Sequence, residues 1–413
     1  GDTILLAGTC RMPDGTAGGN LVTIDKDLTF IGGYPVLDPL NKANPAFWLS
    51  RTPDPVNSPT TLDANSANRS SAGPVISVPG SITAVTLRNL ILQNGDAGNG
   101  GGISSLGIVT VVDSIIRDNN ANNGGGIYSD NALTLVNSTV SGNTASFGGG
   151  LYSFSSDSMI FVNSVVSGNS ASGTGGGVRN LGNMIVYNST ISGNNASTEG
   201  GGIASGGNGL LNVVNSIIYN NAAPTGADAF SNSSVTPALR ATLYGDTQGA
   251  FTLSGDVIPD VPASDAPRVF IQPIDPATAP TNGGNLRLIA GSEAVEAGDN
   301  TQIPAENALA ADFTALDVDS DGAIEDPLDV DRDGNPRIQG ANTDIGAYEA
   351  NALIVDIPND ENDGNFSPGD LSLREAIAIA TTDTNIVFDP GLDAASTSLD
   401  LSISELQVND RIA

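Results

Sequence analysis

Two loops in the C-terminal third carry the strongest chemical signal in the chain. Asp317-Val-Asp-Ser-Asp-Gly322 and Asp329-Val-Asp-Arg-Asp-Gly334 repeat an Asp-x-Asp-x-Asp-Gly pattern. Oxygens at positions 1, 3 and 5, with glycine at 6, wrap a hard cation in EF-hand loops. The ligands expected for Ca²⁺ are Asp317, Asp319, Asp321, Asp329, Asp331 and Asp333. Leu328 stands where such a loop has its bidentate Glu, and Asp326 or Asp329 is the available substitute. A solvated acidic loop is the competing reading.

Catalysis finds little to work with. Polysaccharide cleavage needs a carboxylate pair, or a cation beside a basic residue. The five glycine-marked repeats offer Asp113, Arg117, Asp118, Asp130, Asp157, Arg179 and Glu199. Asp113, Arg117 and Asp118 are close in sequence, but Asp113 falls on a structural repeat position. The chain has no His, so a His general base is excluded. The expectation is a protein that is not an enzyme. Tyr128, Tyr152 and Phe154 follow glycine triplets and form a candidate stripe for stacking on sugars, with covering of a sheet as the bland alternative.

Charge narrows the partners. The net charge is −31, against clustered Lys and Arg as a requirement for binding phosphate backbones, so no nucleic acid is expected. The acid is uneven: residues 293–375 carry 21 of the 46 acidic side chains, whereas 94–221 are nearly neutral. The single cysteine, Cys10, allows no intrachain disulfide. No apolar run reaches the ~20 residues of a membrane span. A chain opening at Gly1 reads as a mature or trimmed extracellular protein.

The element that must position all this is a repeat. Glycine triplets lie at 100–102, 124–126, 148–150, 175–177 and 200–202, at spacings of 24, 24, 27 and 25 residues. Each is followed by Ile, Leu or Val, and then by a Val/Ile/Thr-rich run such as Leu133-Thr-Leu-Val-Asn-Ser-Thr-Val-Ser-Gly-Asn143. A fixed period in this range signals a solenoid. Period-two alternation in runs too short for helices makes it one of strands. Three strands fit each copy. The expected fold is all-β: a right-handed parallel β-helix, with its handedness set by the crossover rule. Asp113, Asn137, Asn163, Asn188 and Asn215 are expected to form a ladder of side-chain amides at an inner corner. The serines after them, at 138, 164, 189 and 216, read as an outward rank.

Residues 1–290 are assigned to the β-helix, with regular coils over 94–221 and an excursion over 35–60. Residues 291–350 form an acidic, loop-rich module, 351–370 a linker, and 371–413 a cap that starts a further β-helix. Leu371 to Ala380 is expected to be the one short capping helix, behind Asp370 or Ser372.

The glycine-punctuated coils resemble bacterial surface β-helix proteins of the polymorphic outer-membrane-protein and pectate-lyase-like type. Leu288-Ile-Ala-Gly-Ser-Glu-Ala-Val-Glu-Ala-Gly-Asp299, Asp331-Arg-Asp-Gly-Asn-Pro-Arg337 and Asp344-Ile-Gly-Ala-Tyr-Glu349 are similar to a choice-of-anchor Q module. Leu371-Ser-Leu-Arg-Glu-Ala-Ile377 resembles the CSLREA segment, with Leu371 in place of its Cys. The resemblance implies a secreted, surface-attached protein. In that family the CSLREA segment opens a β-helix, whereas here it follows one. The expectation is therefore a structural or adhesive surface protein that assembles end to end with copies of itself. Leu371, Leu373, Arg374, Glu375, Ile386, Phe388, Leu399, Leu401, Ile403 and Leu406 would make the contact. A slice of a longer tandem polypeptide is the alternative, as is a β-helix that binds or cleaves surface glycans.

Overall fold

The computed structural model describes residues 2–13, 19–34, 59–64, 73–81, 83–154, 158–249, 251–254, 258–259, 269–288, 292–295, 297–303, 331–332, 337, 342–350, 352–355 and 385–388. They form a parallel β-solenoid. One full coil shows the construction. Ile108–Val112 lies in a first sheet, Ile115–Arg117 in a second, Asn120–Asn123 in a fourth and Ile127–Ser129 in a third; Leu133–Val136 then returns to the first. The first sheet runs through ten strands from Asp2–Ala7 to Thr252–Ser254, and the second through ten from Thr9–Arg11 to Ile258–Pro259. The third has nine strands, and the fourth has five. Every pairing within these four sheets is parallel and joins a strand to its equivalent one coil away, as Val109↔Leu133 and Ile103↔Ile127.

Parallel pairing puts like residues over like. Ile76, Ile103, Ile127, Leu151, Val178 and Ile203 make one buried rank inside the third sheet. Leu87, Val111, Leu135, Phe161, Val186 and Val213 make another inside the first. These ranks merge into a single core along the rod. A buried side chain of this size contributes about 1.5–3 kcal/mol.

The fourth sheet was not legible in the pattern. Its strands are mostly Asn, Ala and Ser, with only Ala121, Ala145, Ala171 and Ala196 turned inward. Residues of low strand propensity hold an extended form here because the coils above and below pair with them. The glycine triplets end these strands. Gly124 has φ +62°, and a Cβ on Gly125 would fall inside contact distance of the Gly149 and Thr144 carbonyls. The first position needs the left-handed region, and the second needs hydrogen where backbones meet.

The coils continue beyond 221. Ala229–Ser231, Ala238–Arg240 and Leu243–Tyr244 stack in register on the regular ones. Phe270–Gln272 and Asn285–Leu288 leave the solenoid and pair antiparallel. Phe270, Leu286, Leu288 and Ile345 pack with Val165, Ile217 and Leu243 of the second sheet in a second core outside the coils. Within the expected linker, Ala352–Val355 is a strand, paired in parallel with Asn385–Phe388. The excursion at 35–60, apart from its last two residues, and the expected helix at 371–380 lie outside the described residues.

Candidate functional site

Each coil closes its second strand with an asparagine, and these form a continuous row. Asn119 Nδ2 donates to Asn143 Oδ1 at 3.0 Å, Asn143 to Asn169 at 3.0 Å, Asn169 to Asn194 at 2.9 Å and Asn194 to Asn221 at 2.9 Å. The backbone N–H of each donates to the same oxygen of the next. The row ends on Asp228, whose Oδ1 accepts from Asn221 N and Nδ2, while Oδ2 accepts from Asp246 N. A carboxylate accepts and cannot donate, so it terminates the row. It sits at the N–H end of aligned amide dipoles, as an anion sits at a helix N-terminus. Burial nevertheless pushes Asp228 up to about 7, against those hydrogen bonds.

This row is not the one expected. Asp113, Asn137, Asn163, Asn188 and Asn215 are in register, but all have φ between 43° and 48°. They hold left-handed corners. One step of the expected ladder forms, a side-chain hydrogen bond from Asn137 to Asp113, and two of the others meet the C-terminal segment outside the coils. Asn215 exchanges hydrogen bonds with Asp299, and Asn163 Oδ1 accepts from the Arg337 guanidinium. Both side-chain polar atoms of Asn188 are buried without a partner, so no amide chain passes through it. The serines that follow are also not outward. Ser138, Ser164, Ser189 and Ser216 are buried; each hydroxyl donates to the carbonyl two residues back and accepts the N–H of the serine one coil earlier.

The segments resembling the anchor module close on each other here. Arg337 is fully buried, and its Nη1 meets Glu349 Oε1 at 2.9 Å. Glu349 also accepts from Thr343 Oγ1 and Asp344 N, and Asp344 Oδ2 accepts from Ala350 N. Burial raises the Glu349 carboxyl, while Arg337 and the hydrogen bonds pull it down. The clasp is fixed to the coils through Gly346 N donating to Asn215 O and Ala347 N donating to Thr190 Oγ1. Its members lie in the segments quoted for the resemblance; their pairing needed the fold.

Of the expected cation ligands, Asp317, Asp319, Asp321, Asp326, Asp329 and Asp333 lie outside the described residues. Asp331 is buried, and its Oδ2 accepts the Glu349 N–H, which ties it into the clasp. Among the described residues no group of three potential ligands gathers. Of the expected assembly residues, Ile386 and Phe388 lie in the strand pair above; Leu371, Leu373, Arg374, Glu375, Leu399, Leu401, Ile403 and Leu406 lie outside the described residues.

Two of the acidic residues weighed for catalysis, Asp113 and Asp118, are engaged in packing, and Asp157 lies outside the described residues. Asp113 faces Arg88 at 3.6 Å, and burial raises its carboxyl against that pull. Asp118 accepts from Asn282 Nδ2 at 2.6 Å and lies 3.8 Å from Arg117. Asn282, which also bonds Ser141, belongs to the covering segment.

On the outer face of the third sheet, Tyr128 stacks on Tyr152 with centroids 5.7 Å apart, and Tyr152 on Phe154 at 6.5 Å. Arg179 occupies the Tyr152 position one coil on. This open face contrasts with the covered second sheet.

No family model matches the chain, and no curated protein matches it significantly. Among solved structures it is similar to "Crystal structure of pectate lyase Pel9A", with 16% identity, a TM-score of 0.40, and coverage of 84% of this chain and 87% of that one. A likeness of that degree says nothing of activity or substrate. No described helix is long and apolar enough to cross a membrane.

Proposed function

We propose that the protein is a non-catalytic, extracellular structural or adhesive solenoid that stacks end to end with copies of itself. The observation that carries this reading is the parallel pair Ala352–Val355 and Asn385–Phe388, in register Leu353↔Ile386 and Ile354↔Val387. Two parallel strands joined by a connection of one coil's order are how a solenoid begins. The pair stands apart from the four long sheets. Among the described residues, the outer edge of Asn385–Phe388 carries no further strand, and Asp2–Ala7 is the edge strand of the first sheet. An open parallel edge presents a row of N–H and C=O groups that a matching strand satisfies. A heterologous contact of this kind builds a filament. The same two edges meet within one chain if the units follow one another in a longer tandem polypeptide.

The test compares the chain with a version ending at residue 370, by sedimentation and negative-stain electron microscopy. Concentration-dependent rods from the full chain, and single particles from the shortened one, support the reading. Rods from both, or from neither, refute it. Ca²⁺ in the acidic segment belongs to the same proposal, supported by the Asp-x-Asp-x-Asp-Gly spacing. Equal calorimetric heats from the wild type and Asp319→Ala would rule that part out.

A further inference from the structure

Asparagine followed by glycine is the dipeptide in which a backbone nitrogen most readily closes on a side-chain amide, because no Cβ shields that nitrogen. The chain holds five such pairs, at 94–95, 99–100, 123–124, 208–209 and 282–283. In four of them the glycine N–H is tied down. Gly95 donates to Asn119 Oδ1 at 2.8 Å, Gly100 to Asn123 O at 2.9 Å, Gly124 to Phe147 O at 2.9 Å and Gly283 to Thr281 Oγ1 at 3.1 Å. At 208–209 the glycine N–H makes no hydrogen bond of ordinary geometry among the described residues.

The surroundings of Asn208 favour reaction. It is exposed in the turn that leads from the third sheet to the first, just after Gly207 with φ +74°. The residue after it has to be glycine: a Cβ on Gly209 would fall 1.8 Å from the Gly182 carbonyl oxygen, so the stacking of coils itself imposes the susceptible pair. Ser234, exposed one coil on, donates its hydroxyl to Asn208 Oδ1 at 2.7 Å. Negative charge grows on that oxygen when a nucleophile adds to Cγ, and a donor already in place stabilises it.

We infer that Asn208 is a site of self-modification. The Gly209 nitrogen gives its proton to water and bonds to Asn208 Cγ; the Cγ–Nδ2 bond breaks, and Nδ2 takes a proton from water and leaves as ammonia. The cyclic imide that remains adds water at either carbonyl and opens to aspartate or isoaspartate. The new carboxylate forms in a loop bordered by a cation, since Arg179 Nη2 would lie 3.4 Å from a Cβ on Gly206. Isoaspartate adds a methylene to the backbone between the Gly207 and Gly209 carbonyls, which Ser233 Oγ holds together. The corner thus records the age of the molecule as charge and slack. The site lies on the coils, away from the strands proposed to assemble, so the two readings fail separately.

The test is peptide mapping by mass spectrometry of the full chain held at mildly alkaline pH, both folded and unfolded in urea, with electron-transfer fragmentation to identify isoaspartate. Expected in the folded chain is loss of the Asn208 amide at least about tenfold faster than at the other four pairs, as freedom from one hydrogen bond on the nitrogen implies. Ser234→Ala should slow it at least about threefold. In urea the five rates should converge and the effect of Ser234→Ala should vanish. Unchanged circular dichroism keeps the folded variant comparable. Conversion of Asn208 no faster than the other four in the folded chain, an advantage undiminished in urea, or a wild-type rate in Ser234→Ala would each overturn the inference.

Discussion

The asparagine row and the corner rank share each coil, and one pair of substitutions separates their roles. Asn194 is fully buried. Its Oδ1 accepts from Asn169 N at 3.0 Å and Nδ2 at 2.9 Å; its Nδ2 donates to Val166 O and Asn221 Oδ1, each at 2.9 Å. Asn194→Ala leaves the Asn169 N–H with no acceptor, strips a donor from Val166 O and opens a small void. Asn169 Nδ2 keeps Val140 O, and Asn221 Oδ1 keeps the Asn194 N–H, so the damage is bounded. One orphaned buried donor costs about 1–3 kcal/mol; with the weakened acceptor and the void, the total comes to about 3–4 kcal/mol. Asn188 lies six residues earlier and is equally buried, but both its polar atoms lack partners and its φ is 43°. Asn188→Gly removes groups that gain nothing and places glycine in a conformation it prefers, so the change should stay within about 1 kcal/mol. Because solenoids need not unfold in one step, urea denaturation should be paired with hydrogen exchange at the Asn169 amide. That amide should lose protection in Asn194→Ala and keep it in Asn188→Gly. Equal losses in the two variants, or a change under about 1 kcal/mol in Asn194→Ala, would refute the assignment.

Two further outcomes follow from the buried charges. Arg337→Met leaves Glu349 buried without its cation, which should cost about 3–5 kcal/mol of docking for the covering segment; limited proteolysis should then cut within 269–350, and a double change with Glu349→Met should restore part of the resistance. Unaltered resistance in the single variant would show that the clasp does not hold the segment. Asp228 has a folded value near 7, above the ordinary 3.8, so the folded chain binds its proton more tightly than the unfolded one. Its contribution to stability is therefore fully present below about pH 4 and is lost as the pH rises through about 7. The melting temperature of the wild type relative to Asp228→Asn should fall over that window, and a difference that does not vary with pH would contradict the reasoning.

The repeat alone determined the solenoid. Triplets such as Gly124–Gly126, spaced by 24 to 27 residues, together with period-two Val, Ile and Leu between them, leave stacked parallel coils as the way to bury every apolar rank. Periodicity also marked two asparagines in each copy, one before the serine and one closing the copy, but could not say which forms the amide row. That depends on a dihedral angle. A left-handed corner leaves Asn188 without a partner one coil away, while Asn143 and Asn194 come to bear directly on their equivalents. The fourth sheet was hidden because its Asn and Ala residues are extended by pairing and not by propensity. The meeting of Arg337 with Glu349 over Asn163, 174 residues from the arginine, was likewise decided only by folding. Local pattern records what a residue prefers; contacts made across coils, or by a segment returning along the rod, are fixed by where the whole chain comes to lie.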